Sequence, residues 1–135
     1  IIAGILLLAS SCGPKVQYYF VTYTIGNNTD HKIELTVYNQ NHTIDTILLT
    51  CIGCDTIIKS KHEGTAYGPP PFVTDSVRVI YDDSITIVHY RTANQDASRS
   101  IIRSTSWAGP DVDGHDYAWE YLFTNDDYEE ALLLQ

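Results

Sequence analysis

The sequence is poor in basic residues and contains no methionine. It has 8 Lys and Arg against 17 Asp and Glu, which gives a formal net charge of −9 over 135 residues. Nucleic-acid binding needs clustered Lys and Arg to neutralise phosphates, so this composition argues against a nucleic-acid partner. Because translation starts with Met, we expect the gene product to contain residues before Ile1. The chain also lacks the roughly 20 consecutive apolar residues of a membrane-spanning helix.

A short apolar segment opens the chain. Residues 1–8 carry no polar side chain, which suits the apolar core of a secretory signal, about 7–15 residues long. The run LLASSC ending at Cys12 resembles a bacterial lipobox, with Ala where Leu is commonest. In that class the Cys becomes residue one and carries acyl chains such as palmitate. We predict a signal-peptide remnant at 1–11, lipidation at Cys12, a lipid-anchored linker at 12–16 and one β-rich domain at 17–135. The alternative is a buried N-terminal strand with a chance Cys.

The remainder is rich in Thr, Ile, Val and Tyr, in short runs bounded by Asn, Asp, Gly and Pro, which is typical of β-strands. Many short strands at this spacing predict an all-β fold, an antiparallel β-sandwich, with a small β-barrel as the alternative. We expect the first two strands to form a hairpin, a loop over the prolines at 64–71, and a turn-rich loop over 109–114. The predicted strands are 18–25, 32–38, 43–52, 56–59, 76–81, 85–90, 101–107 and 117–123.

The chain ends in a predicted short helix. Thr124 suits the N-cap, and Asp127 stands three residues later, where the acid of a capping box lies. A helix this short needs to dock one face, and the spacing predicts the face of Tyr128 and Leu132.

The pair Cys51-Ile52-Gly53-Cys54 is the sharpest local motif, and three interpretations compete for it. The favoured one is a structural disulfide across a tight turn, which suits an exported protein. A redox pair would need the first Cys at a helix N-terminus, whereas a strand-like DTII follows here. A zinc site would need a second ligand pair, and His42 or His62 would have to supply it.

Other chemical motifs are weak. The segment containing Asp111, Asp113, His115 and Asp116 has some character of a calcium loop, but Gly114 and residue 122 break the spacing of an EF-hand, so these four are weak metal candidates. No nucleophile elbow, phosphate-binding loop or dinucleotide fingerprint occurs. The sequence therefore indicates no catalytic residue and no cofactor. An aromatic, proline-rich loop over 67–72 is a candidate sugar platform, and both tryptophans are more typical of core packing.

Along the chain an NNT hairpin is followed by DSVRVIYDDSITIVHY and then by an aromatic strand and TNDDYEEA. In this order of features the chain resembles a group of small outer-membrane lipoproteins of the Bacteroidota. The resemblance covers nearly all of residues 12–132 and implies a location and a fold, with no catalytic residues to transfer. It also implies O-glycosylation at Asp-Ser/Thr-aliphatic triplets. Four such triplets occur, which makes Thr46, Thr56, Ser76 and Ser84 candidate sites. In the resembled group an acidic stretch after the lipidated Cys tends to mark surface export, and its absence here favours the periplasmic side.

The function predicted from these features is an exported, lipid-anchored outer-membrane module that binds an unidentified partner, a glycan or an envelope protein, without catalysis. Two alternatives stay open. One is a thiol- or metal-dependent envelope protein using Cys51 and Cys54, and the other is an adhesin or pilus-type subunit that accepts a donor strand.

Overall fold

The computed structural model describes residues 17–63, 71–72, 74–91 and 97–135. Cys12, the segment before it and most of the proline-rich loop lie outside these ranges. The described residues form eight strands in two four-stranded sheets, followed by one short α-helix. The strands are β1 (Tyr18–Asn28), β2 (Ile33–Asn39), β3 (His42–Leu49), β4 (Asp55–Glu63), β5 (Ser76–Tyr81), β6 (Ile85–Tyr90), β7 (Ala108–Asp113) and β8 (Asp116–Thr124), and the helix is α1 (Asn125–Leu133).

Sheet A has the strand order β4-β1-β8-β7, and sheet B has the order β3-β2-β5-β6. The two pack face to face as a sandwich and, within the described ranges, do not close into a barrel, so the predicted fold class is confirmed. Every pairing is antiparallel except that of β1 with β8, which is parallel. None of the helices in these ranges has the length and apolar character needed to cross a bilayer.

The core lies between the two sheets and follows the alternation of the strands. Side chains at every second position of β1 and β2 point inward and are buried, as expected for strands with one face on a core. The aromatic stripe of β8 also points inward, with Tyr121 and Phe123 fully buried. The largest fully buried side chains are Tyr23, Tyr81, Tyr121, Phe123, Ile25, Ile33, Leu35, Leu49, Ile101, Val21, Val37 and Val77.

The predicted hairpin of the first two strands is wrong, because β1 and β2 belong to different sheets. The chain crosses between the sheets at the corner that follows Asn27. The buried Asn27 amide donates to the carbonyl oxygens of His31 (2.7 Å) and Leu49 (3.0 Å), and its oxygen accepts from the Thr29 amide (2.9 Å) and hydroxyl (2.7 Å). Since this side chain satisfies the corner's backbone groups, the turn does not need the ladder of a hairpin.

In the region of residues 101–113 two further predictions are wrong. Residues 101–107 form turns and a short 3-10 helix rather than a strand, and β7 runs where a loop was expected. Ile101 and Trp107 are buried through specific contacts, since the Ile101 amide donates to His89 Nδ1 (3.0 Å) and the Trp107 indole donates to the Ile101 carbonyl (2.8 Å). Pro110 fits β7 because this is an edge strand with a register irregularity at that point.

Helix α1 begins as predicted, with a complete capping box between Thr124 and Asp127. Its docked face differs from the prediction. Ala131 is buried and Tyr128 packs against Tyr81, with ring centroids 5.3 Å apart, whereas Leu132 is 42% exposed. Tyr128 and Ala131 therefore form the docked face of the helix. Because the Ala131 side chain is small, the helix lies close to the sheets.

Candidate binding site

A pocket of about 300 Å³ opens on the outer face of sheet B, at the end of the sheet where β2 finishes. Tyr38, Ser76 and Tyr90 stand side by side on three neighbouring strands. Two strand spacings therefore separate the tyrosines, about 10 Å at the backbone, with the small Ser76 between them. The pocket is lined by Tyr38, Asn41, Ser76, Arg78, Val88 and Tyr90.

Backbone hydrogen bonds around Asp75 hold the two aromatic walls in position. The Asp75 amide donates to the Tyr38 carbonyl (3.2 Å), and the Asp75 carbonyl accepts from the Arg91 amide (3.0 Å), directly after Tyr90. The Asp75 carboxylate accepts from the Gln40 amide (2.7 Å), and the Thr74 hydroxyl also donates to the Tyr38 carbonyl. Residues preceding β5 thus fasten the end of β2 to the end of β6, which makes the pocket a preformed feature.

The cation of the pocket is Arg78. Its guanidinium carbon lies 5.0 Å from the centroid of the Tyr38 ring, within the range of a cation–π contact. Among the described residues no carboxylate forms an ion pair with Arg78, even though the chain carries a net charge of −9. Its hydrogen-bond donors therefore remain available to a ligand while the ring of Tyr38 supports the guanidinium.

The pocket combines groups that suit ligand binding. It offers an exposed ring at Tyr90, an apolar surface at Val88, and polar donors at Arg78 and Asn41. Within the described ranges, no His or carboxylate hydrogen bonds to Ser76, so the hydroxyl has no base to activate it. The arrangement can hold a ligand that has one flat C–H surface and polar or anionic edges.

A second polar cluster lies at the opposite end of the sandwich. His31 Nδ1 lies 2.6 Å from Asp82 Oδ2, and the His31 ring stacks on Tyr128 with centroids 3.6 Å apart. The hydrogen bond from His31, together with the Lys32 amide, holds the pKa of Asp82 below its ordinary value. Through these two contacts His31 joins the β5–β6 hairpin to α1.

The two predicted cysteines form a disulfide, which confirms the favoured interpretation of the motif. The bridge spans the turn from β3 to β4, where Gly53 has a φ of 80° and the Cys54 amide donates to the Cys51 carbonyl (3.1 Å). Neither cysteine lies at the N-terminus of a described helix, the position that activates a redox thiol.

The structure does not assemble the weak metal candidates. Asp111, Asp113, His115 and Asp116 are exposed on the β7–β8 hairpin, and Asp116 accepts a hydrogen bond from the Phe20 amide (2.9 Å). No group of three or more His, Cys, Asp or Glu side chains able to hold a metal ion occurs in the described part of the chain.

The remaining candidates differ in exposure. Among the predicted O-glycosylation sites Thr46 and Ser84 are exposed, whereas Thr56 and Ser76 are half-buried. Phe72, the end of the predicted aromatic platform, packs against the core, and residues 67–70 lie outside the described ranges. Trp107 is buried and Trp119 packs on the core, in agreement with the prediction that both are packing residues.

The pocket residues are not among the candidates that the sequence supplied. Tyr38, Arg78 and Tyr90 are each at outward positions of strands whose alternation is readable, but their meeting depends on β2 and β6 flanking β5. The comparisons with protein-family models, curated proteins and solved structures returned no match.

Proposed function

We propose that this protein is an exported, lipid-anchored binding module of the cell envelope that holds an acidic sugar in the Tyr38–Tyr90 pocket. The observation that carries the proposal is the pocket itself, in which Arg78 lies over the ring of Tyr38 and the ring of Tyr90 lines the same space. It supports ligand binding because it pairs an aromatic surface with a cation.

The ligand class follows from these groups. An aromatic ring packs well against the C–H face of a pyranose, and a guanidinium forms two parallel hydrogen bonds with a carboxylate. A volume of about 300 Å³ is at the lower limit of small-molecule pockets, so it suits one sugar unit of a longer chain. A uronic acid residue presents both the apolar face and the carboxylate.

Export and lipidation are supported by two features of the chain. The apolar segment before Cys12 has the character of a secretory signal, and the Cys51–Cys54 disulfide suits a compartment that keeps thiols oxidised. Intact-mass measurement of the protein from its native host tests this part. We expect a chain that starts at Cys12 and carries acyl chains, whereas a chain that keeps residues 1–11 without lipid would refute the anchor.

The pocket is tested by calorimetric titration with uronic-acid oligosaccharides and their neutral counterparts. We expect dissociation constants in the range of about 0.1–1 mM for the acidic ligands, a value usual for one small contact site, and weaker binding of the neutral ones. Tyr90→Ala should weaken binding about fivefold or more through loss of the ring, while Tyr90→Phe should retain most of the affinity.

The cation is tested separately. Arg78→Gln should remove the preference for acidic over neutral ligands, and Arg78→Lys should restore it only in part because an ammonium lacks the paired donors. Ile57→Ala, at an exposed position of sheet A, serves as the surface control. Failure of every acidic glycan to bind, or equal losses for Ile57→Ala and Tyr90→Ala, would refute the assignment.

A further inference from the structure

A second group of aromatic and basic side chains lies on the outer face of sheet A, where β1 begins. Tyr18 is 48% exposed and Phe20 is 37% exposed, which is unusual for aromatic rings on neighbouring outward positions. The Lys61 ammonium lies 4.1 Å from the centroid of the Tyr18 ring, and that of Lys59 lies 5.0 Å from the Phe20 ring. We call these four residues the Tyr18 patch.

The charge of the Tyr18 patch contrasts with the rest of the sheet. Lys59 and Lys61 are two of the 8 basic residues of the chain. On the other side of β1, strands β8 and β7 carry the exposed acids Asp111, Asp116 and Glu120. On β4 itself Asp55 and Glu63 are also exposed on this face, with Glu63 across from Tyr18, so Lys59 and Lys61 are the basic side chains that the described outer face of sheet A offers to lipid phosphates.

The position of the patch relative to Cys12 indicates which surface it meets. Tyr18 lies six positions after Cys12, so the chain can span at most about 21 Å between them. A lipid on Cys12 would hold this end of the sandwich next to the headgroups of the same bilayer. Aromatic rings and Lys side chains favour that interface, because the ring enters the apolar boundary while the ammonium reaches the phosphates.

We infer that the Tyr18 patch is a membrane-contact surface, which rests on the phospholipid headgroups around the Cys12 anchor and fixes the orientation of the domain. This inference depends on the lipid anchor of the proposed function. Tyr18 and Phe20 enter the interface, and Lys59 and Lys61 contact lipid phosphates. Because the sugar pocket lies on the outer face of the other sheet, the contact turns the pocket away from the bilayer.

The test attaches the whole chain to vesicles chemically, so it does not depend on lipidation in the cell. With Cys51 and Cys54 joined in a disulfide, Cys12 is the one remaining cysteine of the three, and it can be coupled to a maleimide lipid. The vesicles contain phosphatidylethanolamine and phosphatidylglycerol with brominated acyl chains, which quench nearby tryptophan fluorescence. The probe variant is Tyr18→Trp, and the matched control is Ile57→Trp. Ile57 is on β4, faces outward like Lys59 and Lys61, and is 64% exposed.

After subtraction of the signal of the wild-type chain, which contains Trp107 and Trp119, we expect the bromolipids to quench the introduced tryptophan of Tyr18→Trp at least about twofold more than that of Ile57→Trp, as a ring held at the interface requires. Adding Lys59→Glu and Lys61→Glu to the probe variant should abolish that difference, while circular dichroism confirms that the sheet content is kept. Equal quenching of the two tryptophans, or unchanged quenching after charge reversal, would overturn the inference. An unlipidated Cys12 in the native host refutes the anchor alone and is read from intact mass, independently of the vesicle result.

Discussion

Single buried polar residues carry much of the specificity of this fold, and Asn27 is the clearest case. Its amide nitrogen donates to two carbonyl oxygens, and its oxygen accepts two hydrogen bonds from Thr29. Asn27→Asp would replace the donor with a carboxylate oxygen facing the carbonyls of His31 and Leu49. We expect a loss of about 3 kcal/mol or more in the free energy of unfolding, measured by urea denaturation. Asn28→Asp, at the exposed neighbouring position, is the control, and an equal loss there would contradict this account.

His89 is a second single residue with a large effect, because its protonation makes the free energy of unfolding depend on pH. Burial lowers the pKa of His89 to about 4, while the Glu130 carboxylate opposes the shift and Arg99 and Arg103 add to it. Since the unfolded chain binds a proton near pH 6.5 and the folded chain does not, this residue's contribution is complete above pH 6.5. It is lost as the pH falls from about 6.5 to 4, with a magnitude of about 3 kcal/mol.

The measurement is the free energy of unfolding across that pH range for the wild type and His89→Gln. Gln keeps an acceptor for the Ile101 amide but does not titrate, so the variant should show a flatter pH dependence. His115→Gln, at an exposed position, is the control. A slope that His89→Gln leaves unchanged would refute the assignment.

The sequence predicted whether a side chain in a strand points inward or outward, but it did not predict which strands pair. The alternation of Val77 and Val79 with Arg78 predicts that the arginine points outward, as it does. The contact of Arg78 with Tyr38 depends on β2 lying beside β5, about 40 residues away in sequence. Alternation contains no information on that pairing, so the candidate pocket could not be found from the sequence.

At the scale of elements, periodic patterns and turn residues predicted most strands, and specific contacts decided the exceptions. The β5–β6 hairpin has the predicted bounds because alternating apolar residues flank Asp82 and Asp83, both at positive φ. The segment of Ile101 to Trp107 was predicted as a strand, yet it forms turns and a 3-10 helix in which hydrogen bonds to His89 and to the Ile101 carbonyl hold both buried residues, and no periodic pattern encodes these bonds.

Helix α1 offers a direct test of which contacts dock an element. Tyr128 stacks on His31 and packs edge-on against Tyr81, whereas Leu132 is 42% exposed. We expect Tyr128→Ala to lower the free energy of unfolding by about 1–3 kcal/mol, through lost burial and ring contacts. Leu132→Ala should change it by less than about 0.5 kcal/mol, as is usual for exposed positions. Thermal and urea unfolding of both variants measure the difference, and a larger loss at Leu132 would show that the other face is docked.

At the scale of the whole molecule, composition and strand spacing predicted the sandwich but not the route of the chain. The chain changes sheets after β1, after β3, after β4 and after β6, and it ends with β8 parallel to β1. Consecutive strands therefore often lie in different sheets and pair with strands that are distant in sequence. A prediction that pairs consecutive strands as hairpins wrongly places β1 and β2 together. The same route places the Tyr38–Tyr90 pocket and the Tyr18 patch on the outer faces of different sheets, so the proposed ligand and the proposed membrane contact would not compete for one surface.

Exposure across the molecule also ranks the four candidate glycosylation sites. A modifying enzyme needs an accessible hydroxyl, and Thr46 on edge strand β3 and Ser84 in the β5–β6 turn are exposed. Thr56 is half-buried on the inner side of β4, and Ser76 lies between the tyrosines of the pocket. We therefore expect peptide mass spectrometry of the protein from its native host to find O-glycans at Thr46 or Ser84 and none at Thr56 or Ser76. Alanine at whichever of Thr46 and Ser84 carries the glycan should remove its mass, and Ser76→Ala should not. A glycan on Ser76 would contradict the ranking and would also refute the sugar pocket, because the modification would fill the space between Tyr38 and Tyr90.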